Sequence, residues 1–112
     1  AANVDRLIIV MAPQAGMSNY LLDRYLVAAE LLQIPPVLVV NKADLLKDTT
    51  RQELEAQLAP YQGISYPIVF TSTLDKNGVS GLSDVLAGHR GVLVGPSGVG
   101  KSSLIRALGG SE

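Results

Sequence analysis

Four short runs of consecutive apolar residues punctuate the chain: Leu7-Ile8-Ile9-Val10, Val37-Leu38-Val39-Val40, Ile68-Val69-Phe70 and Val92-Leu93-Val94. A run with no polar residue at alternate positions predicts a strand buried on both faces, as in a parallel sheet. Between these runs the apolar positions return at helical spacing. Leu21, Leu22, Tyr25, Leu26, Ala29 and Leu32 predict one helix, with Ser18 or Asn19 as its cap. A second helix is expected over about 50–58, ending near Pro60, and a third, of sparser periodicity, over about 80–86. A fourth starts at a glycine-rich segment and continues through Leu104, Ile105 and Leu108. Strands alternating with helices imply right-handed crossovers and a parallel sheet with helices on both faces. The fold class is therefore α/β, a three-layer sandwich with four visible strands.

Composition narrows this only slightly. The 112 residues make room for one compact domain, and the 47% hydrophobic and 17% charged content suits a globular interior. A net charge of −1 gives no hint of a nucleic-acid or membrane partner. The absence of cysteine excludes disulfides and Cys-based zinc sites from this stretch and fits a cytoplasmic protein. No apolar run approaches the ~18 residues of a membrane span. The chain opens on Ala1-Ala2-Asn3-Val4-Asp5 and closes on Gly109-Gly110-Ser111-Glu112, and both ends read as cuts through a longer protein. Residues 1–112 are accordingly expected to be an incomplete domain.

Two segments carry chemistry. Gly95-Pro96-Ser97-Gly98-Val99-Gly100-Lys101-Ser102 matches GxxxxGK[ST] in full, between a strand pattern and a helical one. Glycines let the backbone curl so that several N–H groups converge on one anion, which assigns phosphate binding to Gly95, Ser97, Gly98, Val99, Gly100, Lys101, Ser102 and Ser103. Lys101 suits the β- and γ-phosphate oxygens, and the Ser102 hydroxyl suits Mg²⁺. The plainer alternative is a tight glycine turn with a surface lysine.

The second segment, Asn41-Lys42-Ala43-Asp44, follows an apolar strand, where open parallel sheets place their ligands. A carboxylate at Asp44 can accept from the N1–H and the 2-amino group of guanine, and adenine offers neither donor. Asn41 can bond the base and tie loops together, while the stem of Lys42 can cover the ring. Alternatively Asp44 simply caps the element that begins with Leu45. A third base contact is expected from backbone N–H groups of Ser72 and Thr73, in the Thr71-Ser72-Thr73-Leu74 segment; an ordinary Ser/Thr turn is the alternative there. The order of the two motifs is inverted relative to an ordinary small GTPase, in which the phosphate loop comes first. That inversion indicates a circularly permuted, Ras-like P-loop NTPase.

With these motifs the chain resembles the RsgA (YjeQ) family of circularly permuted GTPases. The likeness extends to Ala2-Asn3-Val4-Asp5, to Leu22-Asp23-Arg24-Tyr25-Leu26-Val27-Ala28-Ala29-Glu30, and to Gly98-Val99-Gly100-Lys101-Ser102-Ser103-Leu104. The resemblance implies GTP hydrolysis with GTP/GDP and Mg²⁺ in late maturation of the small ribosomal subunit, with that subunit and its rRNA as partners. It further implies an OB-fold domain before this one and a zinc-binding domain after it, with zinc held there and not here. The switch segments that follow the phosphate-loop helix in that family, which organise hydrolysis, are not in this sequence. GDP binding is thus expected to survive, weakened, with turnover very low and no catalytic residue assigned. The implied strand order is fourth, first, second, third. The fourth strand is then an open edge, leaving the fragment a monomer or an edge-paired dimer.

Other residues take plainer assignments. His89, the single histidine, lies in Gly88-His89-Arg90-Gly91 with no evident carboxylate partner and is expected to be solvated or packed in a turn. Asp23 and Arg24 fit a solvated helix face. Tyr20, Tyr25, Tyr61 and Tyr66 are too scattered for a base-stacking platform, and Met11-Ala12-Pro13-Gln14-Ala15-Gly16-Met17 reads as a loop at the ligand-bearing end. Three competing functions stay open. They are another circularly permuted ribosome-assembly GTPase, a nucleotide-binding module without hydrolysis, and an ATP-using P-loop protein.

Overall fold

The computed structural model describes residues 4–12, 19–42, 48–62, 66–72, 78–96 and 99–108. Eight elements alternate along it: β1 (Arg6–Met11), α1 (Asn19–Leu32), β2 (Pro36–Val40), α2 (Asp48–Gln62), β3 (Ile68–Phe70), α3 (Ser80–Leu86), β4 (Gly91–Val94) and α4 (Lys101–Ala107). All strand pairs are parallel, in the order β3-β2-β1-β4. This is the order that the family resemblance implies, with β4 at one edge.

The continuous apolar strands fill both faces of the sheet. Leu7, Ile9, Met11, Leu38 and Val40 point to one face and pack with Leu22 and Ala29 of α1 and Leu54 and Leu58 of α2. Ile8, Val10, Val37 and Val39 point to the other and pack with Leu82 of α3 and Leu104 of α4. Period-two alternation within a strand thus builds two cores and three layers. Burying each such Leu, Ile or Val contributes about 1.5–3 kcal/mol.

Element bounds follow the sequence closely except at α2, which continues through Pro60 to Gln62. Proline there removes one N–H donor within the last turn. The carbonyl that this leaves without a helical partner belongs to Ala56, on an exposed position of the helix, so water can satisfy it. Of the two caps expected for α1, Asn19 is its first helical residue and Ser18 lies outside the described residues. Among the described residues no helix is long and apolar enough to cross a membrane.

Candidate functional site

The carboxyl ends of β1, β2 and β4 converge on the segments singled out from the sequence. The Asn41 amide donates to the Met11 carbonyl at 2.7 Å, which carries the β1–β2 pairing one step past the strands. Its side chain then reaches across the sheet. Asn41 Nδ2 donates to the Val99 carbonyl at 2.8 Å, and its Oδ1 accepts from the Thr71 hydroxyl at 2.9 Å. Asn41 and Thr71 are each 1% exposed, so both bonds form away from water, where an unpaired polar group costs most. One carboxamide therefore fastens three loops together.

The glycine-rich loop is shaped by close approach. Gly100 has φ 86°, and a Cβ there would lie 2.6 Å from Asn41 Nδ2 and 3.7 Å from Lys42 Cε. Only glycine gives both the left-handed backbone and the space. At Gly95 a Cβ would collide with the carbonyl of Val10, so the chain leaving β4 presses directly on β1. Lys101 Nζ donates to the Gly95 carbonyl at 2.6 Å, closing the loop on itself. Lys42 adopts φ 58°, unusual for a residue with a side chain, immediately after Asn41. Gly100 stands at the N-cap of α4 and supplies no side-chain hydrogen bond there.

The structure thus brings Asn41, Lys42, Val99 and Gly100 together, with Gly95 and Lys101 completing the loop. Ser102 is exposed on the first turn of α4, and Ser103 accepts a long hydrogen bond of 3.5 Å from Arg106. Ser72 is buried beside Thr71, but its amide donates to the Gly78 carbonyl at 3.0 Å. That amide is engaged within the protein, a correction to the expectation that it is open to a base carbonyl. Asp44, Thr73, Ser97 and Gly98 lie outside the described residues, as do residues 13–17 of the loop expected after β1. Thr71 belongs to none of the candidate site residues drawn from the motifs. Its position directly after an apolar strand, beside Ser72, is the only sequence signal for its role.

Among the described residues no group of three His, Cys, Asp or Glu side chains gathers into a metal centre. A hydroxyl oxygen such as that of Ser102 is a hard donor suited to Mg²⁺. Mg²⁺ is commonly held by few protein ligands together with substrate phosphates and water.

A second polar cluster sits at the opposite end of the sheet, where β1 and β4 begin. Asp5 Oδ1 accepts from the Arg90 amide at 2.8 Å, and His89 Nδ1 lies 3.3 Å from Asp5 Oδ2. Arg6 Nη2 approaches His89 Nε2 at 3.2 Å. His89 therefore has a carboxylate partner, contrary to expectation. The two residues are far apart in sequence and meet only because β4 pairs with β1. Desolvation acts to raise the Asp5 carboxyl, but the Arg90 amide and the His89 hydrogen bond outweigh it. With smaller Coulombic help from His89 and Arg6, they hold Asp5 below its ordinary value. Arg24, read as a solvated charge, bonds Tyr20 Oη at 3.3 Å on the outer face of α1.

Comparison with known proteins agrees with this architecture. The sequence model of the RsgA GTPase family matches residues 1–112. The small ribosomal subunit biogenesis GTPase RsgA of Azotobacter vinelandii is 49% identical over 108 residues, covering 96% of this chain and 32% of that protein. The protein of the same name from Pseudomonas aeruginosa (strain LESB58) is 45% identical over the same shares. The chain thus spans about a third of the length of these curated relatives. The crystal structure of YjeQ from Thermotoga maritima superimposes with a TM-score of 0.86 at 37% identity, over 95% of this chain and 38% of that one. YloQ, described as a circularly permuted GTPase, gives a TM-score of 0.79 at 35% identity, over 92% and 37%.

Proposed function

Because the chain belongs to the RsgA GTPase family, we propose that this end of the sheet is a guanine-nucleotide site within a GTP-hydrolysing factor for small-subunit maturation. The observation that carries the reading is the buried Asn41 carboxamide, which joins the tetrad, Thr71 and the phosphate loop by two hydrogen bonds of 2.8 and 2.9 Å. A base-reading tetrad is useful only if it is fixed relative to the loop that holds the phosphates, and this bond pair supplies the fixing.

Roles follow residue by residue. Asp44 accepts from the base edge, the Lys42 stem covers the ring, and the segment of Ser72 and Thr73 bounds the base, with Thr73 rather than the Gly78-bonded Ser72 amide offering the N–H. Gly95, Ser97, Gly98, Val99, Gly100, Lys101, Ser102 and Ser103 hold the phosphates. Lys101 would exchange its bond to the Gly95 carbonyl for phosphate oxygens, which replaces a neutral acceptor by a charged one. Ser102 would hold Mg²⁺, which when bound would neutralise charge on the phosphate oxygens. No residue among those described is assigned to activate water.

The relatives' names supply the biological setting, a role in small ribosomal subunit biogenesis. For this protein we extend that to association with the subunit and its rRNA in the cytoplasm, and to GTP turnover that rises on association. The test is co-sedimentation of the protein with small subunits in GTP and GDP, together with hydrolysis measured with and without subunits. Nucleotide-dependent association and stimulated turnover support the proposal. Turnover indifferent to subunits refutes the assigned partner.

A further inference from the structure

We infer that Arg51 is a positioning residue for the base-reading end of the site, acting through Phe70; the inference rests on the guanine-nucleotide reading above. The Arg51 guanidinium carbon lies 4.2 Å from the centroid of the Phe70 ring, a close stack of a planar cation on the only phenylalanine in the chain. Its Nε lies 3.7 Å from Glu55 Oε1 on the same helix. That ion pair is solvent-exposed and weak in itself, and it lies on the same helix as the stack.

What makes the stack matter is where Phe70 sits. It is the last residue of β3, a strand of three residues that, among the described residues, pairs with β2 alone at the edge of the sheet. The next residue is Thr71, whose amide donates to the Val40 carbonyl at 2.8 Å and whose hydroxyl holds Asn41 at 2.9 Å. A short edge strand has one ladder to fix its end. On the face of the sheet toward α2, Phe70 shares its core with the buried Leu54 and Leu58 and carries Arg51 on its ring, while on the other face its neighbour Val69 lies against Gly81 of α3. An unbroken set of contacts therefore runs from Arg51 to Phe70, along the chain to Thr71, then to Asn41 and to the Val99 carbonyl of the phosphate loop. Loosening its first contact relaxes the Phe70 ring while the Thr71 and Ser72 amides still hold the chain to Val40 and Gly78, so the expected consequence is a small shift of Asn41 relative to the base with both hydrophobic cores in place.

The experiment compares affinities for GDP and for inosine diphosphate, which lacks the 2-amino group, in the intact protein carrying this domain. The variants are Arg51→Ala, Arg51→Gln, Arg51→Lys and Phe70→Leu, each checked by thermal melting. Arg51→Ala and Arg51→Gln are expected to reduce the GDP-to-inosine-diphosphate affinity ratio by about two- to five-fold, the size of an exposed cation–π contact. Arg51→Lys keeps a cation above the ring and is expected to restore part of the ratio. Adding Phe70→Leu to Arg51→Ala is expected to change nothing further. An unchanged ratio, or a parallel fall for both nucleotides, overturns the inference while leaving guanine binding intact. A parent protein that fails to prefer GDP over inosine diphosphate and ADP overturns the underlying reading, and this inference with it.

Discussion

The side-chain amide of Asn41 donates to the backbone carbonyl of Val99 across 2.8 Å, tying the end of β2 to the phosphate loop that follows β4. The two strands are not neighbours, since β1 lies between them. The bond therefore bridges a strand and fixes the distance between two loops that sheet pairing alone leaves independent. Asn41→Ala leaves the buried Val99 carbonyl without its donor and the Thr71 hydroxyl without its acceptor. The expected cost is about 2–4 kcal/mol of stability from two stranded polar groups, read by urea denaturation. GDP affinity should fall with it by at least about ten-fold. Asn41→Asp should fare no better, because a carboxylate cannot donate to Val99.

Gly100 tests the same junction from the other side. Gly100→Ala places a methyl group 2.6 Å from Asn41 Nδ2 at a backbone angle of 86° that alanine resists. The strain is expected to cost about 1–3 kcal/mol. The displaced carboxamide should also abolish nucleotide binding at concentrations that saturate the parent. A variant that melts normally and binds GDP normally would show that the loop can relax without moving Asn41.

Lys101 should separate phosphate binding from base choice. Its amine bonds the Gly95 carbonyl at 2.6 Å, within the glycine-rich loop itself. Lys101→Met is expected to weaken diphosphate binding by about 2 kcal/mol, roughly 30-fold, as befits a lost charge-assisted bond. The loss should be equal for GDP and inosine diphosphate. A loss confined to one base would contradict the division of roles.

At the far end of the sheet the prediction concerns acid stability. The Asp5 carboxyl is held below its ordinary value in the folded state, so its ionised form favours the fold. That contribution is complete above the unfolded value of about 4 and is lost as pH falls through the lower folded value. Asp5→Asn should therefore be less stable than the parent at neutral pH. Its stability should fall less steeply below about pH 4. Parallel curves for the two proteins would assign the acid limb to other groups.

Much of the fold is legible because its strands carry no polar residue and its helices keep regular spacing. Leu7 to Val10 and Val37 to Val39 are buried on both sides, and that burial is written directly into their composition. The strand order is legible only through the family resemblance that the inverted motifs bring to notice, not from the motifs themselves. What stays hidden is contact between residues distant in sequence. Thr71 and Asn41, Asp5 and His89, and Arg51 and Phe70 each meet only after the strands pair, and no local pattern marks any of them. The run of α2 past Pro60 is hidden for a different reason. Proline so close to the helix end removes a single N–H, and the carbonyl it frees belongs to Ala56, which is exposed to water.

The most direct test of the central claim is calorimetric titration of the protein with Mg-GDP and, separately, with Mg-ADP. The tetrad and the phosphate loop meeting in one site predict that GDP binds and that ADP shows no detectable heat at the same concentrations. Equal affinity for the two nucleotides would contradict the guanine site and leave a phosphate loop indifferent to the base.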